Sequence, residues 1–578
     1  MRLAYRRKVM VKAPDKILAA SGTSAPIWPW LKRASTKLPL LVFVGLFLFH
    51  FAIIRKYAVN LPNWDDWAMF AGDNHPASVD LRWLYNQHNE HRTTTTKLFV
   101  WLQFQLNGWN VRTHLLVDFL IYGFFLGWLV WFARKIDPHL STQTVLAFLI
   151  FFLSPIIWLE HFMAYPVAVH FWLIFLFIAA YFLFSESQTW PSLVIASLSS
   201  ILSSYSFAAG FVTSLILLLT FWLFKSLRIY QSREKKQRVR ELLHLLLVTV
   251  LVGGALVFWI IGFQKPIYHP PLAFPYQPAF WRFFLNLVSF AFAIDRISYF
   301  WGVICLTIIL APICGEVWKR RGRLSGMHWA AVVSTFAILA DLAAISMGRA
   351  GFGALSWRNQ EYAEHGMPLI ILSVINWSIF FRDRKTLRTS AIAALWIFCL
   401  ITFKQNWDFD IYRQQSAIRL EGARCVKAYY EQLGDAQCPG IYPPSADFIY
   451  LLAQGKRLNA SYYQDAIKAR MTSGPPAYLG ALDVADCNHI AGWAYDKSEP
   501  DAIVVVDIYD GSALLGSFPA ISFRPDLLDA GMGTGLYSFE RETPPALKDG
   551  RPHSIRVQFA GTTRDLPHSP MVLTCAPP

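Results

Sequence analysis

The sequence predicts an α-helical, multi-spanning membrane protein that ends in a small β-domain. Three observations carry this. Of 578 residues, 54% are hydrophobic and only 16% charged, against about 25% charged in a typical soluble domain. Apolar runs near the ~20 residues that a helix needs to cross hydrocarbon recur along the first 400 positions. After position 404 the pattern turns polar and then strand-like. This composition excludes an ordinary soluble enzyme, a disordered chain and a small disulfide-built secreted domain.

Residues 1–37 carry nine Lys and Arg against the single acid Asp15. They read as a basic cytoplasmic segment before a retained first span at 38–54, because no small-residue cleavage site follows that apolar run. Further runs near 113–132, 143–159, 165–184, 191–206, 207–224, 242–262, 297–315, 328–347, 367–381 and 389–404 bring the expectation to about eleven transmembrane helices. The stretch 191–224 reads as two short helices meeting at 203–210 or as a re-entrant pair. Residues 280–295 look amphipathic and interfacial. With a cytoplasmic N-terminus, the cytoplasmic segments hold 26 Lys and Arg and the outer loops before the tail 11. The net charge of +15 is therefore a topology signal and not a nucleic-acid footprint.

An odd span count places the C-terminal tail outside, the expected setting being a bacterial inner membrane with a periplasmic tail. Cys425, Cys438, Cys487 and Cys575 all follow the last span, where disulfides persist. Cys487 and Cys575 bracket the final domain and are the natural pair, leaving Cys425 with Cys438. The four cysteines allow three pairings. Residues 405–475 read as membrane-proximal helical and turn pieces, with Gly474-Pro475-Pro476 as a linker. From 482 to 578, strand candidates at 490–495, 503–509, 513–518, 536–540 and 555–559 alternate with turns such as Asp510-Gly511 and Asp549-Gly550. A small β-sandwich follows. Its Trp493, Tyr495, Tyr509 and Tyr537 could stack on a sugar, but ordinary strand packing accounts for them better.

The first outer loop, 59–112, carries the chemistry. Asp65 and Asp66 stand between Trp64 and Trp67, and tryptophans suit the headgroup layer. A carboxylate there can take a proton from an attacking hydroxyl, or the two can hold a divalent cation such as Mg or Mn. Adjacent side chains diverge, so one carboxylate is expected to face an acceptor and the other to orient it. The block Gln87, His88, Asn89, Glu90, His91 and Arg92 precedes Lys97. His88 and His91 would share a face if helical, but the two-His zinc motif is absent. His91, Arg92 and Lys97 are better read as ligands of a departing phosphate. A later outer loop supplies Arg349 and Arg358 for the same purpose. Glu160 and His161 are further candidates near the end of the third span.

A cytoplasmic N-terminus, one span, an acidic pair opening a large outer loop, many further spans and an outer C-terminal domain together resemble the GT-C glycosyltransferases. That resemblance implies a polyprenyl-phosphate-linked sugar as donor, a glycan or lipid acceptor, inversion at the anomeric carbon, and Asp65 or Asp66 as general base. Asp-Asp-Trp with His-Asn-Glu-His-Arg also resembles a set of multi-spanning bacterial envelope proteins in which a Gly-Arg and a later Ser-Arg-Tyr occur. Arg349 matches the first; the second here reads Ser356-Trp357-Arg358-Asn359, with its tyrosine displaced to Tyr362. In the tail, Gly492-Trp493-Ala494, Asp510-Gly511, Arg524-Pro525-Asp526-Leu527 and Gly535 resemble a β-domain appended to bacterial envelope proteins, which implies an accessory role. The alternatives are an enzyme that ligates or polymerises lipid-linked glycans, and a non-catalytic export or scaffold protein.

Overall fold

A computed structural model describes residues 29–71, 76, 79–320, 324–353, 355–432, 438, 440–442, 446–467 and 477–577. Most of the basic N-terminal segment, part of the 319–323 run and the Gly474-Pro475-Pro476 linker lie outside the described residues.

Among the described residues, nine helices are long and apolar enough to cross a membrane: Lys37–Tyr57, Val111–Ile136, Val167–Phe184, Ala208–Gln231, Lys235–Ile260, Tyr299–Lys319, Gly326–Phe352, Glu361–Phe380 and Lys385–Thr402. Two of the eleven expected runs do not form a continuous helix of that length. The run at 143–159 is a broken pair, Thr142–Leu153 and Pro155–His161, bent by 69°. The break falls at Ser154, held extended at φ −78° and ψ 147° by the proline that follows it. The run at 191–206 forms Trp190–Ser204, 15 residues long, shorter than a span normally requires. Pro278–Phe290 has 13 residues. Its Phe283–Phe290 side is buried, so it packs into the bundle more than it lies on its surface.

After the last apolar helix come Asp410–Tyr430, Ala446–Arg457 and Ser461–Ile467. Cys425 on the first of these is bonded to Cys438. Eight strands follow: β1 Tyr478–Ala485, β2 His489–Asp496, β3 Val504–Asp510, β4 Ala513–Ala520, β5 Ser522–Phe523, β6 Leu536–Glu542, β7 Pro552–Phe559 and β8 Met571–Thr574. They make two antiparallel four-stranded sheets, ordered β1-β2-β6-β5 and β4-β3-β7-β8. Leu482, Ile490 and Phe539 of one sheet share a buried core with Val506, Val557 and Phe559 of the other. Gly492 permits the close pairing of β2 with β1, since a Cβ there would meet the Ala481 carbonyl oxygen at 2.3 Å. Gly511 turns β3 into β4 at φ +57°. The Cys487–Cys575 disulfide joins the β1–β2 turn to the end of β8.

The β-region is fastened to the helices by Arg424. Its guanidinium donates to the carbonyls of Leu536 and Pro500 and to Thr534 Oγ1, at 2.5, 3.3 and 3.2 Å. It also lies over the Tyr537 ring, which packs on Tyr495. Those two tyrosines are buried and serve this joint.

Candidate functional site

The first loop enters a short 3-10 helix, Trp64–Phe70, capped by Asn63. Asp66 is fully buried in it. Its carboxylate accepts backbone N–H bonds from Asn63 (3.0 Å), Ala164 (2.9 Å) and Tyr165 (2.7 Å). Burial pushes its pKa up to about 6, against those donors and the charge of Arg419. Asp66 is therefore the bolt between this loop and the 162–166 turn, and its assignment as base is corrected. Trp67 is likewise a core residue, edge-on to Phe448 and Tyr462 at 5.1 and 5.2 Å, while Trp64 is half exposed.

Asp65, one position earlier, points elsewhere and lines a cavity of about 610 Å³. His88 Nε2 stands 3.5 Å from its carboxylate. Burial alone would raise the Asp65 pKa, but the His88 hydrogen bond and the charges of His88, His91 and Arg349 outweigh it and hold the carboxyl below its ordinary value. Asp65 is thus ionised at neutral pH.

The His88–His91 block is a tight turn, which corrects the helical expectation. Each of the two residues donates its N–H to the other's carbonyl at 2.8 Å, and Asn89 takes φ +49°, a conformation Asn tolerates. The turn presents Glu90 to Arg349, with which it forms an ion pair. His269 joins them, 3.1 Å from Arg349 Nη1 and 3.6 Å from Glu90. His91 stacks on Phe207 at 3.9 Å and accepts from the Ala208 N–H at 3.3 Å. Burial lowers its pKa well below the ordinary value, so the ring is neutral.

Three predicted phosphate ligands are placed elsewhere. Arg92 is 2% exposed, and its guanidinium is used up on backbone carbonyls of Tyr85, Trp259 (2.7 Å) and Ile261 (2.7 Å). Lys97 donates to the carbonyls of Trp83 and Asn86, both at 2.6 Å, and burial lowers its pKa to about 8. These two side chains stitch the 59–112 loop together because its irregular backbone leaves carbonyls that helices would have satisfied. Arg358 pairs with Asp295 at 2.5 Å beside a separate, smaller pocket. Of the five proposed donor-phosphate residues, His91 and Arg349 line the cavity. Glu160 also lines it, whereas His161 packs against His50, Phe119 and Tyr122.

The cavity lining combines polar and apolar side chains. Asp65, Glu90, Glu160, Asp341 and Glu361 contribute carboxyls, Arg349 and Lys265 cations, and His91, His269 and His365 imidazoles. Lys265 Nζ is engaged by the Pro270 carbonyl at 2.6 Å, and Arg349 by Glu90 and His269. Apolar walls come from Val169, Phe211, Trp259, Phe263, Leu272 and Ile345, with Phe211, Trp259 and Phe263 in a stacked row. Glu361 and His365 went unrecognised in the sequence, although they stand in the same 348–366 segment as Arg349. His365, bonded to Asp341 at 2.7 Å, was hidden because its partner lies in another helix. Among the described residues, no group of three or more His, Cys, Asp or Glu is arranged to hold a metal ion. Asp65 and Asp66 diverge, so they are not a shared Mg or Mn ligand set.

No protein-family model matches the chain, and no curated protein matches it.

Proposed function

We propose that this chain is an integral membrane glycosyltransferase that moves a sugar from a polyprenyl-phosphate donor to a hydroxyl of an envelope glycan or lipid. The observation that carries the reading is the amphiphilic cavity: an apolar row suited to a lipid chain lines the same space as the Asp65 carboxylate, held ionised by His88, and one arginine. A single arginine among five carboxyls favours a monophosphate over a diphosphate, because a second phosphate would add negative charge where the walls already carry it.

The long apolar helices support a place in the bilayer. On this reading the two broken or short elements also carry the chain between faces, and two contacts support it. Ala164 and Tyr165, after the bent pair, meet Asp66 of the first outer loop. The Tyr205 carbonyl, after Trp190–Ser204, accepts from Thr95 of that loop at 3.2 Å. Eleven crossings, a cytoplasmic N-terminus and an outer, disulfide-bonded β-sandwich remain consistent with the charge distribution. The arrangement as a whole is the one that the resemblance to GT-C enzymes implies.

In the proposed reaction the acceptor O–H gives its proton to the Asp65 carboxylate. The acceptor oxygen forms a bond to the anomeric carbon from the face opposite the phosphate. The bond from that carbon to the phosphate oxygen breaks, and the phosphate monoester leaves with the electron pair. Arg349, oriented by Glu90 and His269, stabilises the leaving charge. Configuration inverts. His91, neutral and fixed on Phe207, shapes the polar end without adding charge.

The test is mass spectrometry of envelope glycans from cells lacking the protein, complemented with wild type or Asp65→Asn at matched membrane levels. Loss of one sugar, restored by wild type but not by the variant, is expected. Equal restoration by both would remove Asp65 from catalysis and favour the scaffold alternative. Loss of whole glycan chains would favour the ligase alternative.

A further inference from the structure

Glu160 is the least satisfied ionisable group lining the cavity. It has no exposed surface, and neither of its carboxyl oxygens has a hydrogen-bond partner. It lies on Pro155–His161, the distal half of the bent pair, in the cavity wall. Its neighbours do not explain it. Asp118 and Glu364 are held by His170 at 2.6 and 3.0 Å, Asp341 is held by His365, and Glu361 accepts from Asn359 at 2.7 Å. Burying a carboxyl without partners is unfavourable, and such a group in a native fold calls for a ligand. Trp259, also lining the cavity, has a buried indole N–H with no partner. A carboxyl and an indole N–H in the lining of one cavity are therefore both without a partner.

The occupant must bring hydrogen-bond donors to Glu160 and an acceptor to Trp259, and it must fit among aromatic rings. A sugar ring does all of this: its hydroxyls donate and accept, and its apolar face lies on aromatics. Aliphatic lipid satisfies neither group. A phosphate brings only acceptor oxygens and offers no hydrogen-bond donor to Glu160.

We infer that Glu160 is the sugar-reading residue of this cavity, binding hydroxyls of the hexose on the lipid-phosphate donor, with Trp259 Nε1 supplying the complementary hydrogen bond. This rests on the glycosyltransferase reading but assigns a different job from that of Asp65 or Arg349: it sets which head group is accepted. Glu160 is a specificity residue and takes no proton in the transfer.

The experiment uses the full-length protein in detergent, with two readouts. Thermal unfolding without ligand compares wild type with Glu160→Leu and Glu160→Gln. A carboxyl kept for a ligand makes Glu160→Leu at least as stable as wild type; a loss of stability would show a structural role and overturn the inference. Binding is then followed by tryptophan fluorescence, with farnesyl phosphate and with its glucose, galactose and mannose monoesters as probes. Wild type is expected to bind at least one monoester about tenfold or more tighter than the bare phosphate. Glu160→Leu should abolish that preference, Glu160→Gln should retain part of it, and Arg349→Met should weaken all four probes alike. A preference that survives Glu160→Leu, or a wild type that binds all four equally, overturns the inference while leaving the lipid-phosphate reading standing. Binding of none of the four by wild type would instead sink that reading itself.

Discussion

The cavity and the β-region treat charge in opposite ways. In the β-region, His553 sits between Asp510 (2.7 Å) and Asp549 (3.0 Å), and Arg524 pairs with both Asp526 and Asp483. These pairs are close in the fold and in part solvent-facing, so they shape turns and strand edges at little cost. At the cavity, Asp341 and Glu160 are buried, and Glu160 is left unpartnered. Charges that are paired and wet serve the fold; an ionisable group that is dry and unpartnered is retained against stability and points to a ligand. The two regions also differ in covalent support. Both disulfides lie in the polar tail, whereas the cavity is held by hydrogen bonds from buried ionic side chains to backbone.

Breaking the covalent side of this contrast should have the largest effect. Replacing Cys487 and Cys575 together by Ser opens a loop with a sequence separation of 88. On the chain-entropy account this costs the β-region ~4–5 kcal/mol. Proteolysis of the tail should accelerate, while transfer activity measured at low temperature should persist. An equal loss of activity with the helical part intact would mean that the β-region belongs to the active site.

Next is Asp65→Asn, which removes the proposed base. The rate should fall about a hundredfold or more, equivalent to roughly 2.7 kcal/mol of barrier, with little change in unfolding temperature. Asp66→Asn should behave in the reverse sense. It replaces an acceptor of three backbone N–H bonds, so folded yield should drop before turnover does. Turnover per folded molecule separates the two. If Asp66→Asn instead abolished turnover at full yield, the division between them would be wrong.

How far this division could be read in advance depends on the range of the interactions. Apolar helices are visible in sequence because their signal is local and about 20 residues long. The β-strands are visible because turns such as Asp510-Gly511 punctuate them. The break at Ser154-Pro155 was also local, yet the apolar run on either side concealed it. At the site, an acidic pair in the first outer loop stood out, but which of the two faces a ligand depends on Ala164 and Tyr165, a hundred residues on. Arg92 and Lys97 were misread for a related reason. A basic side chain beside a polar block looks the same whether it grips phosphate or caps carbonyls; Lys97 caps those of Trp83 and Asn86 in its own loop, and Arg92 those of Trp259 and Ile261 at a distant helix end.

A finer test concerns pH. Asp65 acts ionised and its pKa is held low, largely through His88. Activity should therefore be level as pH falls from neutrality and decline only below the ordinary aspartate range. The stability that Asp65 contributes is present above its unfolded value and disappears as pH falls through the folded one. Removing the partner with His88→Ala lets burial dominate, so the acid limb of the pH–rate profile should move to higher pH. A limb that stays in place would mean that another group is the titrating base.

The smallest effect is expected at Arg358, and it sharpens the contrast by showing what a cation outside the cavity is worth. Its partner Asp295 is 56% exposed and its own side chain 39%, so water screens the pair despite its short contact. Such pairs contribute ~0–1 kcal/mol. Arg358→Ala should therefore shift the unfolding temperature by little and leave transfer within about twofold of wild type, where Arg349→Ala costs tenfold or more through the lost anion ligand. Comparing the two arginines in one assay isolates position from charge, since both replacements remove a guanidinium from the same segment. Comparable losses from both would place the donor phosphate between them, outside the cavity that Asp65 lines.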